Sequence, residues 1–479
     1  MQYKWVALSN TTLGILMASL DTNIVLIALP TIGHKLVQTT VFDLVWIILG
    51  YQLVTASVLV NFGRLADMFG RVRLYTLGFT IFTAGSGLCS ISQTGTELVL
   101  FRMLQAIGAA FLFSNSAAII TDAFPVNERG KALGVNQVSI VVGSGLGLIL
   151  GGILAPTVGW QSIFWVNIPI GVFATLWSHY KLREVSVITS GQRLDVAGNL
   201  TFVAGLSCLL LAVTLGALRV PSPVSSYALA GFGALLLAAF FVIESRVESP
   251  MLDLSLFRIR QFAAGNSAIL LNALARGAVT LVLVFYLQGP TMNLGPLTAG
   301  LFLIPNSASI AFFGPISGWL SDRYGARFLA TLGLVVSSLG FLFLANLGAS
   351  ASFPELALPL LLVGSGMGIF AAPNRASIMN AVPAGQRGIA SGVSTTLVNV
   401  GATLSLAVAV TVMASVTPVP SLVEILLGAR GEVGSGSVQS FISSIHLVYY
   451  ISTGLLIVAL GPSLLRGRPS PGRQDGLPE

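Results

Sequence analysis

Fourteen apolar runs, each long enough to cross a bilayer, dominate the chain. They lie near 5–30, 42–62, 73–93, 98–121, 132–155, 160–180, 195–217, 225–244, 262–288, 296–320, 327–347, 354–380, 388–416 and 444–465. A spanning helix needs about 20 apolar residues, because the hydrocarbon core is ~30 Å thick and each residue rises ~1.5 Å. Lipid offers no partner to a backbone N–H or C=O, so runs of this length must be helical. Hydrophobic residues make up 54% of the 479 and charged residues 9%, too few charges to clothe a soluble domain of this size. An all-α, multi-pass membrane protein is expected.

Charge then sets the orientation. Of the 24 lysines and arginines, eighteen fall in the segments that share one side if the runs alternate in direction. Lys35, Arg219 and Arg430 fall on the other side, and Arg102, Arg276 and Arg375 within runs. Positive loops mark the cytoplasmic face. Both termini are therefore expected in the cytoplasm, and the net charge of +7 is assigned to topology; no nucleic-acid partner is expected. One external loop, 417–443, is long, with a Gly-rich centre too small to be a catalytic domain.

The chain also repeats itself. An offset of 255 residues lays Gly63, Leu65, Asp67 and Gly70 on Gly318, Leu320, Asp322 and Gly325; an offset of 258 lays "ERGKALG" (128–134) on "QRGIASG" (386–392). The repeat unit is six helices. Residues 1–183 and 261–466 are expected to form two six-helix bundles, with two inserted helices and their cytoplasmic linkers in 184–260 and a disordered tail at 467–479. Paired bundles with a site between them are a transporter architecture.

The stretch "GRLADMFGRVR" (63–73) resembles the loop-two motif of the major facilitator superfamily. Further resemblances follow in order: "SLDTNIVLIALPTI" (19–32), "RMLQAIGAA" (102–110), "GSGLGLILGGILAP" (143–156) and "WQSIFWVNIPIG" (160–171). With fourteen runs, the chain is similar to the drug:proton antiporter branch. That resemblance implies the major facilitator fold, alternating access, no cofactor, and a place in the inner (cytoplasmic) cell membrane; a monomer is expected. It also implies coupling roles for Asp21 and for Arg102. Leu148 stands where the branch's span-five pattern has proline, which leaves antiport against symport open.

The residues support such roles independently. An ionisable group at a helix centre costs at least ~2.5–3.5 kcal/mol on insertion scales, so few are kept without a use. Asp21 is an acid whose proton could load and leave as its surroundings change; the alternative is a structural acid bonded near Thr22 and Asn23. Arg102 and Asp21 lean toward the N-termini of antiparallel helices, hence apart, and Gln105 or water is expected to mediate. Asp67 can cap a helix or accept from arginine, Gly63 and Gly70 permit close approach, and Asp122 can reach Arg71. Gly63, Arg64, Asp67, Gly70, Arg71, Asp122 and Asp322 are thus expected at a cytoplasmic gate, where Asp67, Arg71 and Asp122 latch the halves together while the site faces out and release them in the opposite state. Arg276 has no carboxylate among the spans of its own half and must find water, Asn272, Gln288 or a ligand. With Arg276, the polar cavity candidates are Asn23, Gln52, Gln105, Asn115, Gln137, Asn272 and Asn306, each of which could instead bond a neighbouring helix. Gly143, Gly147, Gly151 and Gly152 form a smooth helix-packing face.

No phosphate-cradling loop, metal-ligand spacing or nucleophile–His pair appears, so an enzyme or ATP-driven pump is not expected. The leading reading is proton-driven export of amphipathic or cationic drugs. The alternatives are transport of an anionic metabolite, siderophore or lipid, and a non-transporting sensor on the same fold.

Overall fold

Each apolar run becomes a helix because its backbone groups have no other partner in lipid. The computed structural model describes residues 2–125, 128–185, 195–218, 223–247, 250, 252–383, 387–427 and 434–466. Its helices are α1 (Tyr3–Lys35), α2 (Val41–Phe69), α3 (Arg71–Ile91), α4 (Gly95–Ala123), α5 (Arg129–Thr157), α6 (Ser162–Trp165), α7 (Asn167–Lys181), α8 (Val196–Ala217), α9 (Pro223–Glu244), α10 (Arg260–Arg276), α11 (Val279–Gln288), α12 (Pro296–Tyr324), α13 (Ala326–Leu344), α14 (Phe353–Asn380), α15 (Arg387–Val416), α16 (Val419–Leu426) and α17 (Ser435–Leu464). The tail 467–479, the loop positions Arg219 and Arg430, and the side chain of Asp322 lie outside the described residues.

Thirteen segments among the described residues are long and apolar enough to cross a membrane. The run at 160–180 is divided into α6 and α7, each too short to span alone. Two expectations are corrected at the other end of the chain. The loop at 417–443 holds α16, and α17 begins at Ser435 rather than near 444. The serines there read as loop, yet a serine hydroxyl can return to its own helix, as Ser444 does to the Phe441 carbonyl.

Local chemistry sets the helix ends. Thr40 and Asp43 form a capping box at the start of α2, and Ser352 with Glu355 does the same for α14. At the two repeated turns Gly70 and Gly325 have φ of +105° and +82°, backbone that an L side chain rarely adopts.

Helices α1 to α5 and α7 pack with one another, as do α10 and α12 to α17, while the inserted α8 lies against both α2 and α15. Glycines bring α5 onto α1: a Cβ on Gly143 would fall 2.6 Å from the Leu16 carbonyl, on Gly147 2.5 Å from that of Leu20, and on Gly151 2.7 Å from that of Ile24. Gly152 faces the other way, its Cβ position 2.6 Å from Leu297 Cα of α12. The two sets of helices meet here, toward the end opposite the arginine-rich turns. Gln288 of α11 donates to the Ile27 carbonyl of α1 at 2.8 Å. Around one small apolar void, Leu29, Leu44 and Val45 face Val282, Phe285 and Leu426 of α16.

Candidate functional site

The deepest polar cluster is built entirely from the first set of helices. Asp21 is fully buried and Arg102 is 1% exposed. Arg102 Nη1 donates to Asp21 Oδ2 at 2.5 Å, a direct ion pair where the opposed lean of the two helices predicted separation. The lean fixes only the Cα–Cβ direction. Three methylenes carry the guanidinium onward, and its carbon lies 4.2 Å from the Tyr51 ring centroid, a face that attracts a cation. An unpaired charge buried on either helix would cost more than bending one flexible side chain.

Two amides complete the carboxylate's shell. Asp21 Oδ1 accepts from Gln105 Nε2 at 3.0 Å and from Asn167 Nδ2 at 2.8 Å. Gln105 Oε1 accepts from Arg102 at 2.6 Å, so Gln105 belongs to this cluster rather than to a cavity wall. Ser86 Oγ accepts from both amides, at 3.3 and 3.0 Å. Among the described residues, Arg102 Nε and Asn167 Oδ1 have no hydrogen-bond partner. The cluster thus keeps spare donor and acceptor capacity beside its ion pair.

Sequence reasoning missed Ser86, Tyr51 and Asn167. The signal for Asn167 was present: it lies inside "WQSIFWVNIPIG" and opens α7 at the break after α6. Ser86 and Tyr51 sit in apolar runs with nothing to mark them.

At the arginine-rich end, Arg71 Nε donates to Asp67 at 2.8 Å and its Nη1 to Asp122 at 2.7 Å. All three residues belong to α2, α3 and α4. In this conformation the cluster therefore ties helices within one half, its carboxylates coming from the nearest helices in the chain; the latch between halves was expected only while the site faces outward. Asp67, two residues inside the end of α2, accepts from arginine rather than capping a helix. Glu184, also missed, caps α3 by accepting from the Arg71 and Val72 amides at 3.0 and 2.9 Å. Gly63 has open space where a side chain would stand, so close approach does not explain it. Arg64 donates to the Pro250 carbonyl in the linker after α9.

The expected cavity residues divide. Asn115 donates to the Phe111 carbonyl and Ser114 on its own helix, and Asn23 to the Ser19 carbonyl. Gln52 accepts from Thr403 of α15 across the halves, at 3.5 Å. Gln137 is exposed on α5. Among the described residues Asn272, Arg276 and Asn306 have no side-chain hydrogen bond or ion pair to the protein, and Gln288 bonds to α1 rather than to Arg276.

Residues 11–406 and 265–478 match the family described as Major Facilitator Superfamily. The riboflavin transporter RibZ of Clostridioides difficile is 33% identical over 85% of this chain and 88% of its own. Multidrug resistance protein Stp of Mycobacterium tuberculosis is 32% identical over 86% and 76%, and multidrug resistance protein 3 of Bacillus subtilis 29% over 91% and 84%. In fold, the chain resembles a bacterial homologue of the human lysosomal transporter Spinster in an inward-facing, unoccupied crystal structure. That alignment has a TM-score of 0.67 over 97% of both chains, at 17% identity. This chain belongs to the major facilitator superfamily and is a multi-pass membrane transporter, not an enzyme.

Proposed function

We propose that the chain is a proton-coupled exporter of amphipathic organic compounds, with Asp21 taking up and releasing the proton and Arg102 as its counter-charge. The observation that carries this reading is a carboxylate buried to completion yet held by a single guanidinium and two amides. Protonating Asp21 would strand the Arg102 charge, whose Nε already lacks a partner. The guanidinium would then have to seek water or another acceptor, loosening α4 from α1. Helix α1 also carries the Ile27 carbonyl that receives Gln288, and its glycine-mediated seam with α5 continues to α12. A shift of α1 would thus reach the contacts between the halves, which favours rocking about the seam over a local change. Those contacts lie away from the arginine-rich turns, which supports access from that end in this conformation.

The names of the relatives make flavins and drug-like aromatics the natural first substrates. The test is proton flux in proteoliposomes carrying a trapped pH dye, on adding riboflavin, ethidium or fluorescein. Wild type should move protons with at least one of them. Asp21→Asn should exchange labelled substrate by counterflow without any proton flux. Proton flux retained by Asp21→Asn would overturn the assignment, and absence of counterflow from wild type would favour a sensor.

A further inference from the structure

The two halves correspond helix by helix. The starts of α2 and α12, and of α3 and α13, are offset by 255 residues; those of α4 and α14, and of α5 and α15, by 258. The first offset carries Asp21 onto Arg276 and Tyr51 onto Asn306. Counted from the starts of α1 and α10, Asp21 falls on Ala278 instead. Either way, the counterpart of the buried acid is the break between α10 and α11. The second offset carries Arg102 and Gln105 onto Leu360 and Val363, both buried and apolar.

The break is a built feature. Gly277 lies so close to α15 that a Cβ would fall 2.7 Å from Ala402 Cα and from its carbonyl oxygen. The Ala278 amide, freed by the break, donates to Ser405 Oγ at 3.0 Å. Arg276 ends α10 here and keeps part of its surface accessible, whereas Asn272, Ala273 and Ala275 beside it are buried. Asn272, one turn earlier on the same face, also has no side-chain hydrogen bond among the described residues. Discontinuous spanning helices place free polar groups near the membrane midplane, where transporters hold substrate.

We propose that Arg276 anchors an oxyanion, a carboxylate above all, on an otherwise apolar aromatic substrate, with Asn272 as a neutral donor and acceptor beside it. A guanidinium unpaired in lipid-shielded surroundings calls for an acceptor-only partner, and a planar carboxylate fits its fork. The same arrangement disfavours a cationic substrate: Asp21, the one deep acid among the described residues, is already engaged by Arg102. The inference rests on the transport reading above and names the charge class of its substrate.

The test compares fluorescein with its methyl ester, which lacks the carboxylate, by fluorescence anisotropy on the detergent-purified chain. Wild type should bind fluorescein about tenfold more tightly than the ester or better, the scale of a charge-assisted hydrogen bond. Arg276→Gln should bind both alike, and Arg276→Lys should keep part of the preference. Equal binding by wild type, or an unchanged preference in Arg276→Gln, overturns the anchor. If Arg276→Gln binds neither dye, the lysine variant decides: a retained preference supports the anchor, and loss of both dyes overturns it. Asp21→Asn should keep the fluorescein preference, so a failure of proton coupling and a failure of this site give different results.

Discussion

The first half of the molecule closes its buried charge internally, and the second leaves it open. Around Asp21 every charge has a counter-charge and the amides of Gln105 and Asn167 fill the carboxylate's remaining capacity. In the second half the counterpart of the acid is the break between α10 and α11, at which Arg276 stands, and two aliphatic residues stand where Arg102 and Gln105 were. On the proposed reading, one copy is self-neutral and responds to a proton, while the other takes its counter-charge from the substrate.

That contrast is most easily broken by measuring stability. Arg102→Leu strands the Asp21 carboxylate, and removing one partner of a buried pair costs about 3–5 kcal/mol. Replacing both, as Asp21→Leu with Arg102→Leu, should cost far less than the two single changes together. Arg276→Leu should leave stability unchanged or raise it, since it removes a charge that no group among the described residues neutralises. Denaturant or thermal unfolding in one detergent would read all four variants. A loss at Arg276→Leu comparable to that at Arg102→Leu would mean that the second half is closed after all.

Much of this was legible in the sequence, for reasons that also explain what was not. The spans announce themselves because lipid demands long apolar helices, and the repeat survives in turns where Gly70 and Gly325 need positive φ. Asp21 and Arg102 stood out because charge in a span is rare. Their contact did not, since a lean inferred from helix geometry says little about the end of a long side chain. Ser86 was invisible as a partner because hydroxyls in spans commonly bond their own or a neighbouring helix, whereas Asn167 was marked only by its place in a motif. That Arg71 pairs within its own half in this conformation was not legible either, because a motif shows which charges share a membrane face, not which helices face one another.

The glycine seams sharpen the comparison at a smaller scale. In the first half, Gly147→Ala would press on the Leu20 carbonyl from 2.5 Å, next to Asp21; in the second, Gly401→Ala would meet Ala273 Cβ at 2.7 Å and the Leu270 carbonyl at 3.0 Å. Overpacking of this kind costs about 1–3 kcal/mol. Both variants should unfold at lower temperature. Only Gly147→Ala should also slow proton flux, because only there does the displaced backbone carry the acid. Equal slowing by Gly401→Ala would place the coupling in the bundle as a whole rather than in α1.

The smallest effect is expected at the arginine-rich end, where the halves differ again. The offset that superposes the turns carries Arg71 onto Ala326, so no arginine stands at the position that pairs with Asp67 and Asp122 in the first half. These side chains remain 24–33% exposed, and solvent therefore screens them as it does not screen Asp21. Arg71→Gln should cost about 1 kcal/mol at low ionic strength, with the difference from wild type shrinking as salt is raised. Unfolding midpoints taken at two salt concentrations would measure it. A loss that ignored salt would point instead to the α3 N-terminus, where the Arg71 amide is bound by Glu184; that bond survives the substitution, so only a shift of the helix start could produce such a loss.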